Sequence, residues 1–256
     1  MLKRIVDRNK YLLITLLSAV VILIIWEVTA RILDKDYLLP GVTAVIGEFV
    51  ALWGKKTFYV NLGNTILRCV VGFVCAYILG FGLGIIGGRH AAVGAILRPI
   101  TSFLKTTPIM ALTLLLLIWF KSNATPMIIG FILVFPLVYA TISDSVAAID
   151  PKMKQVATVY DISAQEKIRY VYFPEIAPVA FSLSMTTFAM NVKAVISAEI
   201  LSYTYHSLGL SMYIAKSHVF EDTALLFAYV FVAIFISAVF ELIMSLVKKR
   251  VCAHFL

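Results

Sequence analysis

Ionisable side chains embedded in long apolar runs are the places where this sequence can do chemistry: Arg68, Lys105, Lys193, Glu199 and Glu241. A charge inside hydrocarbon costs several kcal/mol unless it is paired or hydrated, so each needs a partner or a wet path. Two arrangements answer that need. In one, Arg68, Lys193 and Glu199 line a water-filled translocation pathway whose cations suit an anionic solute such as a sulfonate or carboxylate. In the other, the charges brace a bundle by pairing with Glu27, Glu199 or Glu241. Lys193 and Glu199 are six positions apart, on different faces of a helix, and are not expected to pair with each other.

Other kinds of chemistry find no residues. There are no paired carboxylates and no nucleophile–base constellation, so no catalytic residue is assigned. His90, His206, His218 and His254 scatter through loops. Cys69, Cys75 and Cys252 form no C-x-x-C pair, so neither a metal site nor a disulfide framework is expected. A G-x-x-x-x-G-K-S/T phosphate loop is also missing, so the sequence carries no ATP-hydrolysing motif of its own.

The elements that hold these residues follow from composition. Of 256 residues, 61% are hydrophobic and 14% charged, against about 25% charged in a soluble domain. The expected fold is all-α and membrane-integral, one transmembrane domain over residues 1–256. Six runs meet the length of about 20 apolar residues that a span needs: 11–32, 64–86, 96–120, 125–145, 178–201 and 223–247. Lys105, Pro108 and two threonines interrupt the third. The first is read as an uncleaved span rather than a signal peptide.

Charge orients the bundle. With the N-terminus inside, the inner segments collect Lys3, Arg4, Arg8, Lys10, Arg89, Arg98, Lys152, Lys154, Lys167, Arg169, Lys248, Lys249 and Arg250, and the outer ones only Lys35, Lys55, Lys56, Lys121 and Lys216. Both termini are therefore expected in the cytoplasm. The net charge of +8 reads as this topology signal and not as a nucleic-acid surface. Segments 40–53 and 208–220 are amphipathic and expected along the outer surface. Gly80, Gly84 and Gly88 form consecutive G-x-x-x-G steps, a face that admits another helix closely.

The largest inner loop, 146–177, concentrates the polar residues. Met153, Val156, Ala157 and Tyr160 share a helical face, and Ile168, Val171 and Tyr172 share another. Such faces pack either on the bundle's own inner end or in a partner's groove.

This loop resembles the "EAA" loop of ABC importer permeases. Gln155 stands at the family's glutamate, Ala157 at its alanine, Asp161 at its glycine, and Phe173-Pro174 at its Leu-Pro. Thr65-Ile66-Leu67-Arg68 with Gly72-Phe73 is similar to the second span of the nitrate/sulfonate/taurine group. Pro108, Ala111, Trp119 and Phe120 are similar to its third span, and Lys193 to Leu201 and Ser207-Leu208-Gly209 to later stretches. The chain departs at Gln155, Asp161, Lys121 and the tryptophan missing around Asn191–Lys193.

The resemblance implies a type I ABC importer permease fold, multi-pass in a bacterial cytoplasmic membrane. Gln155, Val156, Ala157, Tyr160, Asp161, Ile168, Phe173 and Pro174 would form its ATPase-coupling loop. Implied partners are two ATP-binding cassette subunits holding ATP and magnesium, an extracytoplasmic substrate-binding protein and a second permease copy; no cofactor is expected on this chain. The alternative is a stand-alone ion-coupled secondary transporter in which Lys193, Glu199 and Glu241 relay protons.

Overall fold

The computed structural model describes residues 2–150, 152–153, 159–160, 162–167, 170 and 172–255; side chains are described for these except 2–12, 164–165, 219–221 and 252–255. All described secondary structure is helical. In chain order the helices are α1 (Leu2–Leu33), α2 (Val42–Leu52), α3 (Lys56–Arg89), α4 (Ala91–Thr106), α5 (Ile109–Trp119), α6 (Thr125–Ala147), α7 (Ala164–Lys167), α8 (Phe173–Leu201), α9 (Leu208–Ser217) and α10 (Val219–Phe255). Among the described residues, five helices are long and apolar enough to cross a membrane, and a bent pair, α4 with α5, brings the number to six if it forms one span.

That pair departs from the single run expected over 96–120. The two helices meet at 102°, and the break between them, though not the size of the angle, has a local cause. Pro108 has no N–H to continue the helix and forces the preceding residue out of the α region. Thr107 accordingly has ψ 127° and Pro108 ψ 122°. Thr107 returns both its N–H (3.1 Å) and its hydroxyl (2.7 Å) to the Phe103 carbonyl. Backbone groups that a broken helix frees in a membrane must be satisfied in this way. The fifth expected span also begins earlier, at Phe173 rather than 178. Pro174 lies in the first turn, where a proline's missing N–H costs little.

The chain forms two compact units: Met1–Phe58 with Ser211–Val232, and Tyr59–Leu210 with Ala233–Leu256. In the first, α1 ends at Asp34, whose positive φ of 46° lets its N–H bond the Ala30 carbonyl. The cap residue of α2 is Gly41, which has no side chain to offer. Glu27 of α1 supplies one instead, its carboxylate accepting from the Val42 N–H at 2.8 Å while Arg31 pairs with it at 2.9 Å. A carboxylate there also matches the positive end of the helix dipole. Trp26 donates to the Pro40 carbonyl at 3.1 Å and stacks on Phe231 at 5.9 Å.

In the second unit α3 lies against α6 along its glycines. A Cβ on Gly80 would stand 2.9 Å from Val138 Cβ, one on Gly84 2.8 Å from Ile142 Cβ, and one on Gly88 2.7 Å from Val146 Cβ. Gly72 continues the line against the Met127 carbonyl, at 2.6 Å. On its other side α6 packs on α5 and α8 through Leu116, Ile129, Ala194 and Ala198. Phe73, Phe188 and Phe240 form an aromatic cluster, Phe188 and Phe240 stacked at 3.7 Å.

Candidate functional site: a carboxylate clamp and the coupling loop

Glu199, near the end of α8, is fully buried (0% exposed). Both of its oxygens are held. Arg68 of α3 donates Nη1 to Oε1 at 2.9 Å, the Gly209 N–H donates to Oε2 at 3.1 Å, and the Thr65 hydroxyl lies 3.0 Å from each oxygen. Thr65 also accepts the Leu208 N–H at 3.0 Å. The guanidinium, 12% exposed, reaches on with Nη2 to the Tyr205 carbonyl at 3.2 Å and to Asn123 Oδ1 at 3.5 Å. One carboxylate thus ties α3, α8 and the start of α9 together.

The segment between α8 and α9 is fixed from within as well. Tyr203 and His206 both sit at φ 48°, a left-handed conformation that costs a non-glycine residue about 1 kcal/mol or more and persists only where surroundings enforce it. The enforcement is visible. Thr204 donates its N–H to the Glu199 carbonyl (3.1 Å) and its hydroxyl to the Ser122 carbonyl (2.9 Å), and Ser202 and Thr204 share a short hydroxyl contact. Ser207 caps α9 by accepting the Leu210 N–H at 3.0 Å. Gly209 can be nothing larger, because a Cβ would stand 2.5 Å from Glu199 Cβ.

Of the pathway candidates, the structure therefore brings Arg68 and Glu199 together and leaves Lys193 apart, exposed on α8. With donors on both oxygens and its charge matched by Arg68, Glu199 acts as a brace in this conformation. Sequence reasoning assigned no role to Thr65 or Gly209. The signal for Thr65 was its i, i+3 spacing to Arg68, which puts both on one helix face; backbone donors such as Gly209 leave no such signal. Nearby, Asn191 donates to the Cys69 carbonyl at 2.9 Å, and its buried Oδ1 has no hydrogen-bond partner among the described residues. Gly130 faces that oxygen with no space for a side chain.

The coupling loop is described in part. Gln155, Val156, Ala157, Asp161 and Ile168 lie outside the described residues. Val159 and Tyr160 are 82% and 76% exposed. Phe173 and Pro174 open α8 rather than closing a loop. Asp150 accepts the Lys152 N–H at 2.8 Å. Ser163 and Glu166 form a reciprocal cap on α7: the Ser163 Oγ accepts the Glu166 N–H (3.3 Å), and Glu166 Oε2 accepts the Ser163 N–H (3.0 Å) and hydroxyl (2.7 Å). The S-x-x-E spacing was the available signal for this cap.

Those bonds, the hydroxyl's first and the backbone N–H's second, hold the Glu166 carboxyl below its usual range. A lowered folded value means that the cap's contribution is complete above the unfolded value and is lost as pH falls through the folded one. Hydrogen exchange at 163–167, corrected for intrinsic rates, should therefore stay constant from neutrality down to about pH 4.5 and accelerate below that. Glu166→Gln should abolish the dependence; an unchanged acid profile in that variant would contradict the assignment.

Apolar helices of membrane-spanning length with a buried carboxylate clamped between them fit a membrane transport protein. Residues 80–252 match the family described as the binding-protein-dependent transport system inner membrane component, and the chain belongs to that family. It is 24% identical over 238 residues to the putative aliphatic sulfonates transport permease protein SsuC of Bacillus subtilis, covering 92% of this chain and 85% of that one. It is 22% identical to the taurine transport system permease protein TauC of Escherichia coli (91% and 86% covered) and 25% identical to the nitrate import permease protein NrtB of Synechococcus elongatus (71% and 68%). It is a multi-pass membrane permease of the ABC transporter type.

Proposed function

We propose that this chain is the membrane-spanning subunit of an ATP-driven importer in a bacterial cytoplasmic membrane, passing a small anionic solute by alternating access. The observation that carries the reading is the family match over residues 80–252. The names of the relatives support the solute class: aliphatic sulfonates, taurine and nitrate are small solutes carrying sulfonate or oxyanion groups. ATP and magnesium belong to two partner ATPase subunits, which dock on the Gln155–Phe173 loops of two permease copies, while an external binding protein delivers the solute. Tyr160 supports the docking role, since a large side chain 76% exposed beside the family's coupling positions is available to a partner. Lys193, exposed on α8, is the pathway cation of this reading, because Arg68 and Glu199 neutralise each other.

Ala157→Arg tests it. A guanidinium in place of the alanine methyl should abolish co-purification of the ATPase subunit and solute uptake into proteoliposomes, while membrane insertion stays normal. Uptake at the native rate would sink the proposal.

A further inference from the structure

The second unit holds an apolar slot at the end of the bundle that carries the positive charge. Its volume is about 320 Å³, and its walls include Phe73, Tyr77, Ile85, Ala180, Phe181 and Met244. The Tyr77 hydroxyl is taken by the Ala180 carbonyl, so the walls offer hydrocarbon and ring faces. Along α3 the slot runs from Phe73 to Ile85, about 18 Å at ~1.5 Å per residue. That is close to the apolar depth of one leaflet, half of ~30 Å.

Both helices that carry the slot toward the basic end bear a cation one turn further on. Arg89 follows Ile85 and Lys248 follows Met244, each at i+4 and so on the same face. The Arg89 guanidinium stands 5.5 Å from the ring centre of Tyr172, itself a slot residue. Lys248 donates to Ser182 Oγ at 2.7 Å. A guanidinium has five N–H donors and an ammonium three, so both keep capacity for a phosphate. The exposed carboxylates Glu175 on α8 and Glu241 on α10 are outnumbered at this end by Arg89, Lys248, Lys249 and Arg250.

We infer that this slot holds an acyl chain of one anionic phospholipid, with the lipid phosphate between Arg89 and Lys248. Depth, wall chemistry and terminal charge all match that occupant, and a zwitterionic lipid would fit only the first two. A cation near an anionic headgroup favours binding about fivefold, so two favour it roughly 25-fold.

The test is native mass spectrometry of the full-length protein equilibrated with phosphatidylglycerol, phosphatidylcholine or inorganic phosphate. Native protein should retain one phosphatidylglycerol roughly 25-fold over phosphatidylcholine, and inorganic phosphate should not displace it. Arg89→Gln with Lys248→Gln, both at the membrane surface, should bring the ratio near unity while lipid still binds. Ala180→Phe, which fills the slot, should lose both lipids; if that variant misfolds, the charge pair decides. Equal retention of the two lipids by native protein, an unchanged ratio in the double variant, displacement by phosphate, or cross-linking of Ala180→Cys to a second copy in place of lipid would each overturn the inference.

Discussion

Replacing Glu199 by alanine should destabilise the protein by about 3–5 kcal/mol, the cost of leaving one partner of a buried ion pair without the other. The size follows from what is orphaned. Hydrogen bonds inside membrane proteins average only ~0.6 kcal/mol in mutant cycles, so losing Thr65 and Gly209 as donors is the smaller part. The uncompensated Arg68 guanidinium, 12% exposed, dominates. Removing both charges tests this directly, because a buried pair replaced by apolar groups is often close to neutral. Glu199→Leu with Arg68→Met should therefore recover most of the loss in a chemical denaturation series. A loss below about 1 kcal/mol for the single variant, or no recovery in the double, would refute the brace. Proteolysis near 203–206 gives a second readout, since the left-handed Tyr203 and His206 lose their enforcement when the clamp opens.

The second large effect concerns the glycine face of α3. Gly84→Ala places a methyl 2.8 Å from Ile142 Cβ and 3.0 Å from the Tyr139 carbonyl, and Gly88→Ala places one 2.5 Å from the Ser143 carbonyl. Neither obstacle is the tip of a flexible side chain, so α3 and α6 must move apart. Overpacking of this kind costs about 1–3 kcal/mol for each substitution. Gly82, on the same helix, has open space around its Cβ position. Gly82→Ala should be neutral or stabilising by up to ~1 kcal/mol through helix propensity. The contrast between neighbouring positions is the diagnostic, read as detergent melting temperatures of the three variants. Equal effects at 82 and 84 would mean that the seam is not as described.

How far the sequence carries depends on the range of each interaction. Spans and the glycine face were legible because hydropathy and i, i+4 spacing are local. Pro108 announced an interruption of the third run, but not a turn of 102°, which depends on what α6 and α8 leave room for. Glu199 was one of three carboxylates available to Arg68, and spacing could not choose. The pair is separated by 131 positions, so the choice is made by the register of α3 against α8. The donors from Leu208 and Gly209 were invisible, because a backbone N–H has no letter in the sequence. The span expected from 178 begins at Phe173 instead, because the first turn of a helix tolerates a proline such as Pro174.

The α3 seam also has a genetic side. Every missense change of a glycine adds at least a Cβ, so at Gly72, Gly80, Gly84 and Gly88 there is no mild allele to sample. Variation along α3 must pass through the positions between them, such as Gly82, which makes the helix a row of fixed letters every four or eight residues in otherwise permissive text.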